Sequence, residues 1–388
     1  MIKRIAANEA LRLTKQYPVL TIVGPRQSGK TTLCQNTFQG YSYVSLEGLE
    51  ERNLALNDPR AFLARFQPPV IIDEIQRVPS LLSSIQMEVD TKKQNGAFVL
   101  TGSQQLELME SLTQSLAGRT AILKLLPLTI YELKEFFHET FPLEHYLYRG
   151  FYPRVYDQNL NPTEAYSFYL STYVERDIRS LINIKDYLTF ERFLKICASR
   201  TGQVINQTAI GNECGISHHT VNQWLSLLEA SFIIYRISPH FRNFSKRMIK
   251  SPKLYFYDVG FVAFLLGVER QEQLVSHPLR GALFETMVMG EMLKHRYNAI
   301  RGSNLYFYRD SSGREIDCLT DHGMYCVPIE IKSSQTVNDS FFETLHYYRN
   351  LQNHDASGVL VYGGMSSYER SHNSVVSYSE LFEHRERF

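Results

Sequence analysis

At 388 residues the chain exceeds what one hydrophobic core usually serves, so two or three domains are expected, and 44% hydrophobic residues supply material for each. Lys and Arg (41) balance Asp and Glu (40) to a net charge of +1, which excludes a global field that attracts nucleic acid; any such binding must come from a local patch. No apolar run approaches the ~20 residues that span a bilayer and Met1 to Ala10 lacks a signal-peptide core, while Cys34, Cys197, Cys214, Cys318 and Cys326 are scattered without C-x-x-C spacing, which argues against a disulfide framework or a zinc site and makes a reducing cytoplasm the expected setting, with no membrane partner.

From the N-terminus, Val19 to Val23, Tyr41 to Leu46, Val70 to Ile72, Ala97 to Thr101 and Ala121 to Leu125 read as short strands alternating with helical patterns. That alternation predicts a parallel sheet with helices on both faces. Gly24-Pro25-Arg26-Gln27-Ser28-Gly29-Lys30-Thr31-Thr32 directly follows the first strand and fits the pattern G-x-x-x-x-G-K-[ST]. In that position, after a strand and before a helix, backbone N–H groups and the helix N-terminus converge on phosphate oxygens. Lys30 is expected on the β- and γ-phosphates and the Thr31 hydroxyl on Mg²⁺. Asp73, at the end of a buried strand, would support the same ion, and Glu74 beside it can take a proton from the attacking water. The pattern alone would also describe a glycine-rich turn with a solvated lysine; the strand context and the Asp-Glu pair argue against that. Ser103, after Thr101 and Gly102 at the end of the fourth strand, would lie beside the site and hold the lytic water or the γ-phosphate. Arg119 stands between a helical stretch, Leu106 to Leu116, and the fifth strand. By spacing alone it reads as a surface arginine after a glycine turn, although a guanidinium there can also project toward a neighbouring subunit's γ-phosphate.

Leu128 to about Ile184 is helical and strongly aromatic, broken at Tyr148 to Pro153, which suits a small lid over a nucleotide. Residues 190–257 read as a winged helix-turn-helix: a helix from Gln207 to Cys214, a turn with Ser217 as N-cap, and a second helix from His218 to Glu229. In the second helix Val221, Trp224, Leu225 and Leu228 form the buried stripe, and His219, Asn222, Gln223 and Ser226 face away from it. Phe232 to Ile237 and Lys253 to Tyr257 look like the strands of a wing. From Arg236 to Lys253 come six basic residues, Arg236, Arg242, Lys246, Arg247, Lys250 and Lys253, and no acidic one, with Phe241 and Phe244 interleaved. Phosphate contact is one reading of that run and a solvated face the other.

Glu285 falls on an apolar face of the helical segment Leu279 to Tyr297, where a carboxylate is costly unless a cation or donor meets it. Glu315 to Leu319 and Cys326 to Lys332 read as a hairpin. Glu330 and Lys332, two apart, leave the same strand face, and Asp317 on the partner strand can join them. Asp317 and Glu330 can then hold a second Mg²⁺ or a Mn²⁺ through oxygen, with Lys332 orienting or helping to deprotonate a metal-bound water for attack on a phosphodiester. The alternative is a cross-strand surface pair of little consequence.

Together these residues give the chain a resemblance to the AAA+ ATP-binding proteins of bacteria and archaea that carry a C-terminal domain of the PD-(D/E)xK nuclease fold. The likeness runs through Gly24 to Thr32, Ile71 to Gln76, Leu100 to Gln104, Leu116 to Arg119, Leu126 to Leu128, Tyr173 to Asp177, Lys253 to Asp258, Gly281 to Glu285, Glu315 to Asp317 and Pro328 to Lys332. Ile316 stands where the name-giving proline of the nuclease pattern would. The resemblance implies an α/β fold: an ATPase core at 1–130 with strand order 5-1-4-3-2, a helical lid at 131–189, a winged helix at 190–257 and a restriction-endonuclease-like domain at 258–388. It also implies Arg119 as an arginine finger in a homo-oligomer and Gly150 to Pro153 as the lid motif.

Two functions follow as expectations. One is an enzyme in which ATP hydrolysis with Mg²⁺ moves the lid and winged helix while the C-terminal domain cuts nucleic acid, DNA in preference to RNA, through Glu285, Asp317, Glu330 and Lys332. The other is a nucleotide-gated switch or scaffold whose C-terminal domain keeps the fold but only binds. A small-molecule kinase would share the phosphate loop and leave the rest of the chain unexplained.

Overall fold

The computed structural model describes residues 2–103, 114–174, 187–240, 251–352 and 357–388. Most of the expected helix Leu106 to Leu116, the motif residues Gln104 and Glu175 to Asp177, and the basic residues Arg242, Lys246, Arg247 and Lys250 with Phe241 and Phe244 lie outside the described residues. The chain forms two compact units. The first comprises residues 1–128 with 230–232 and 296–301, and the second holds 129–229, 233–295 and 302–388. The fourfold division expected from sequence is finer than this partition.

In the first unit five parallel strands, β1 (Val19–Val23), β2 (Ser42–Ser45), β3 (Val70–Asp73), β4 (Phe98–Gly102) and β5 (Thr120–Lys124), stand in the order β2-β3-β4-β1-β5. This is the expected 5-1-4-3-2 order. The helices α1 (Ala6–Thr14), α2 (Lys30–Thr37), α3 (Leu49–Asn57), α4 (Pro59–Arg65) and α5 (Leu81–Lys92) connect or cover them. β1, β3 and β4 are buried along their whole length, as central parallel strands covered on two faces must be. One core, including Ala6, Ala10 and Leu13 of α1, Leu20 and Ile22 of β1 and Leu33 and Cys34 of α2, fixes α2 against the sheet.

The second unit begins with α6 (Ile130–Phe137), whose start is a capping box. Thr129 Oγ1 accepts from Glu132 N at 3.0 Å, and Glu132 Oε2 accepts from Thr129 N at 2.9 Å. Short helices α7 (Leu143–Arg149), α8 (Pro153–Asp157) and α9 (Pro162–Tyr169) follow, then α10 (Tyr187–Ser199), α11 (Gln207–Cys214) and α12 (His218–Ala230). Gly215, at φ 70°, ends α11 in a left-handed residue, and Ser217 Oγ accepts from Thr220 N at 3.1 Å to open α12. The buried stripe of α12 is Val221, Trp224, Leu225 and Leu228, with His219, Asn222 and Gln223 exposed. β6 (Ile234–Ile237) and β7 (Lys253–Phe256) pair antiparallel. Past α13 (Val259–Leu265) and α14 (Arg280–Asn298) comes a six-stranded mixed sheet ordered β12-β13-β11-β10-β9-β8. Its strands are β8 (Leu305–Arg309), β9 (Glu315–Asp321), β10 (Cys326–Lys332), β11 (Val359–Tyr362), β12 (Tyr368–Arg370) and β13 (Asn373–Ser377), and α15 (Glu343–Gln352) precedes β11.

Gly150 joins α7 to α8 at φ 62°, and a Cβ there would lie 2.1 Å from Tyr166 Oη and 2.3 Å from Asp258 Oδ1. Buried Asp258 accepts from Phe151 N at 2.7 Å, from Tyr166 Oη at 2.6 Å and from Phe261 N at 2.9 Å, so it ties the aromatic break to the start of α13. Tyr152 is buried against Tyr166 and Tyr169. The sequence motif around Gly150 therefore has a packing role on its own.

Candidate functional site

The phosphate-binding loop runs from the C-terminal end of β1 into α2. Gly24 passes so close to β5 that a Cβ would sit 2.1 Å from Leu125 O, and Gln27 and Gly29 adopt left-handed backbones at φ 63° and 90°. The loop thereby leads into the N-terminus of α2, where the first helical N–H groups have no intrahelical acceptor. Lys30 is folded back into the loop, donating to Gly24 O at 2.9 Å and Pro25 O at 2.8 Å. Burial lowers its pKa to about 8 against the opposing charges of Glu74 and Asp73. Ser28 Oγ is fully buried with no hydrogen-bond partner, an orphaned group of the kind a bound ligand satisfies.

A guanidinium braces this loop from behind. Buried Arg4, just before α1, donates from Nη1 to Ser28 O and from Nη2 to Leu126 O, both at 2.7 Å. Sequence spacing gave no hint of it, because the contact joins residues 24 and 122 positions apart.

Parallel neighbours β1, β3 and β4 bring their C-terminal ends together. Asp73, closing β3, accepts through Oδ2 from Thr31 Oγ1 at 2.8 Å and from Tyr43 Oη at 2.8 Å, and through Oδ1 from Thr101 Oγ1. The two expected Mg²⁺ ligands, Thr31 and Asp73, are thus in direct contact. Glu74 has a left-handed backbone at φ 58°, its N–H bonded to Thr101 Oγ1 at 3.2 Å. Its carboxylate accepts from Gln76 Nε2 and from Ser103 Oγ, the latter at 3.3 Å, while Gln76 Nε2 also reaches Ser103 Oγ at 3.1 Å. Ser103 is therefore beside Glu74, as expected, and Tyr43 and Gln76 are additions that the sequence pattern did not flag.

Arg119 is elsewhere. Thr120 pairs with Val19 and Lys124 with Val23, so Arg119 precedes the end of β5 opposite the loop of its own chain. There it makes a two-pronged pair with Asp90, Nε to Oδ1 at 2.6 Å and Nη2 to Oδ2 at 2.9 Å, in the open.

In the second unit the hairpin of β9 and β10 brings Asp317, Glu330 and Lys332 together. Lys332 Nζ donates to Glu330 Oε1 at 2.5 Å and to Asp317 Oδ2 at 3.3 Å; Asp317 also accepts from Ile331 N at 2.8 Å, and Glu330 from Thr344 Oγ1 at 3.0 Å. Burial and the charge of Asp317 push the Glu330 carboxyl well above the usual carboxylate range. The Lys332 ammonium is held above its ordinary value by Asp317 and Glu330, which outweigh its burial. In this arrangement Lys332 is held as a cation between the two carboxylates.

Glu285, on α14, meets the cation and donor that its apolar surroundings require. Lys253 Nζ lies 3.0 Å from it and Tyr255 Oη 2.5 Å, both from β7. Lys253 also pairs with Glu315 at 2.6 Å and is 1% exposed. Of the basic run, Lys253 serves the interior and Arg236 is paired with Glu229.

Comparison with known proteins bears on the first unit most directly. Residues 16–134 match the family model described as an AAA domain. Residues 140–272 and 280–381 match two models each described as a domain of unknown function (DUF8612 and DUF4143). The N-terminal part of the chain is a P-loop ATPase-like AAA domain. Uncharacterized proteins of Mycobacterium bovis and Mycobacterium tuberculosis are each 27% identical over 338 residues, 86% of this chain and 74% of the relative. An uncharacterized protein of Haemophilus influenzae is 26% identical over 259 residues, 56% of this chain and 62% of its own length. A Walker-type ATPase of Pyrococcus abyssi aligns with a TM-score of 0.47 at 14% identity, over 68% of this chain and 96% of that one. AMPPCP-bound DnaA from Aquifex aeolicus aligns with a TM-score of 0.30 at 16% identity, over 57% and 85%. Among the described residues no helix is long and apolar enough to cross a membrane.

Proposed function

We propose that the chain binds ATP with Mg²⁺ at the loop 24–32 and hydrolyses it in a cytoplasmic homo-oligomer, and that the nucleotide state is coupled to a winged helix and a PD-(D/E)xK nuclease-like domain acting on nucleic acid, DNA rather than RNA. The observation that carries the reading is the meeting of Thr31 with Asp73 beside a buried Lys30. When bound, Mg²⁺ shields the phosphate charge and polarises the γ-phosphoryl group. Lys30 exchanges its two loop carbonyls for phosphate oxygens. Thr31 and Asp73, already 2.8 Å apart, supply a hydroxyl and a carboxylate as oxygen ligands. Glu74, oriented by Gln76 and Ser103, accepts the proton of the attacking water. Arg119 acts, in this proposal, on a neighbouring subunit. Its exposed partner Asp90 is easily exchanged for a phosphate.

Lys30→Ala is expected to abolish nucleotide binding measured by calorimetry. Glu74→Gln is expected to keep binding and to slow hydrolysis by about 10²-fold or more. Wild-type hydrolysis in both variants would sink the assignment.

For the C-terminal domain, Asp317 and Glu330 support metal binding and Glu285 lies on the neighbouring helix. The switch reading is favoured by a specific feature: Lys332 already pairs with Asp317 and Glu330, and Lys253 with Glu285 and Glu315, where a metal would compete with them. Cleavage of DNA or RNA in Mg²⁺ or Mn²⁺, lost in Lys332→Ala with ATPase activity spared, supports the nuclease. Absence of cleavage by the wild type in either metal leaves the switch.

A further inference from the structure

We propose that His240, Asp321 and Cys326 form a binding site for a zinc-like divalent ion. The cysteine spacing speaks against zinc, but the fold assembles the ligands from three separate places. Asp321 closes β9 and Cys326 opens β10, and the antiparallel register sets them directly opposite, so both side chains leave the same face. His240 is brought to them by residues 238–240 running beside β8. Its N–H donates to Phe307 O at 2.8 Å, Phe307 N donates to Ser238 O at 3.3 Å, and Pro239 bridges to Phe307. The Tyr306 ring stands edge-on to the imidazole at 5.2 Å, and Gly323 N holds the other oxygen of Asp321 at 2.7 Å, so imidazole and carboxylate are both oriented.

The two distances from the imidazole are close to the edges of a coordination tetrahedron. His240 Nε2 lies 3.3 Å from Asp321 Oδ2 and 3.4 Å from Cys326 Sγ, and the three ligand atoms are mutually within 4.8 Å. With bonds of about 2.0–2.1 Å to nitrogen and oxygen and about 2.3 Å to sulfur, tetrahedral zinc ligands stand roughly 3.4–3.6 Å apart. A hydrogen-bonded relay would look different. It places the carboxylate on one ring nitrogen and the thiol on the other. Here both face Nε2, which can donate only one proton, while Nδ1 is buried with no hydrogen-bond partner. Convergence of an acceptor and a thiol on one nitrogen is what a shared ion produces.

The donor set selects the metal class. Thiolate and imidazole favour zinc over Mg²⁺ or Ca²⁺, which take oxygen. Binding releases the thiol proton, and Zn²⁺ with one thiolate, one carboxylate and a neutral imidazole sums to zero charge, the state that burial of His240 and Cys326 tolerates. Asp321, 27% exposed at its side chain, supplies the entry path, and three protein ligands leave a fourth position for water.

The test uses the full-length purified chain, dialysed against Zn²⁺ with the bound metal counted by mass spectrometry, and Co²⁺ as an optical probe. One ion per chain and a thiolate-to-Co²⁺ charge-transfer band are expected. Cys326→Ser should abolish the band, His240→Gln should weaken binding by at least about tenfold, and Lys30→Ala and Lys332→Ala should leave both intact. X-ray absorption of the zinc-loaded wild type should show one sulfur at about 2.3 Å with nitrogen or oxygen at about 2.0 Å, a readout independent of whether the variants fold. No cobalt band in the wild type, a band that persists in Cys326→Ser, or a zinc shell without sulfur overturns the proposal.

Discussion

Replacing Arg4 by Met isolates the brace behind the phosphate loop. Met keeps the length and apolar stem of the side chain but removes the guanidinium that donates to Ser28 O and Leu126 O at 2.7 Å each. A hydrogen bond from a charged group contributes about 1.5–3 kcal/mol, and both acceptors here face a buried donor. Two such bonds give ~3 kcal/mol at the low end. If that energy holds the loop closed, its local opening becomes about 10²-fold more frequent. Hydrogen exchange of a peptide spanning residues 24–32, read by mass spectrometry in wild type and variant, measures this directly. Arg4→Lys should recover about half the protection on a logarithmic scale, because a single ammonium cannot span both carbonyls. Exchange in Arg4→Met within about threefold of wild type would refute the brace, as would equal acceleration across the whole first unit, which would mean a general loss of stability instead.

Three further outcomes are expected. His295 is buried with its pKa lowered to about 3, chiefly by burial, so between that value and about 6.5 the unfolded chain binds a proton that the folded chain refuses. Stability therefore falls as pH drops through that window, by ~2 kcal/mol from this residue between pH 7 and pH 5, and urea unfolding of His295→Phe should show a shallower acid loss than wild type; equal slopes would count against it. Lys253→Met should destabilise by about 3–5 kcal/mol, since it leaves Glu285 buried without its ammonium, and adding Glu285→Gln should restore part of the loss; a Tm within a degree of wild type would contradict the pairing. Arg119→Ala should lower turnover while ATP affinity holds, and a strictly monomeric active enzyme would contradict its role in a neighbour's site.

The first unit was legible in sequence because its signals are local. Val19 to Val23 is a mostly apolar run, the loop follows within a single stretch, and Asp73-Glu74 terminates another apolar run, so strands and phosphate loop could be read without long-range information, while the strand order rested on the family resemblance. What escaped were partners that meet only through packing, Arg4 with Ser28 and Tyr43 with Asp73, and the local hydrogen bond from Gln76 to Glu74 two residues before it. The buried stripe of α12 was likewise readable at helical spacing, while the destination of Lys253 was not. A lysine at the end of a basic run looks solvated until the fold supplies Glu285 from 32 residues on and Glu315 from 62 on. The His240, Asp321 and Cys326 cluster shows the same limit, since its ligands are joined by sheet register and share no motif.

Charge counting around β9 and β10 gives a last expectation. Among the described residues Glu285, Glu315, Asp317 and Glu330 face Lys253, Lys332 and Arg309, a formal balance of one uncompensated negative charge in a largely buried cluster. An uncompensated carboxylate there is costly, and a divalent cation on Asp317 and Glu330 offsets it. Binding to the folded state alone stabilises by RT ln(1 + [M]/Kd), which is ~2.7 kcal/mol at 100 times Kd. Mn²⁺ should therefore raise the unfolding temperature of the wild type, and Asp317→Asn should remove that part of the increment while leaving any contribution from Thr31 and Asp73. If Mn²⁺ stabilises wild type and Asp317→Asn equally, the basic side chains already satisfy the cluster, and the C-terminal domain keeps its acidic strands for packing and not for metal.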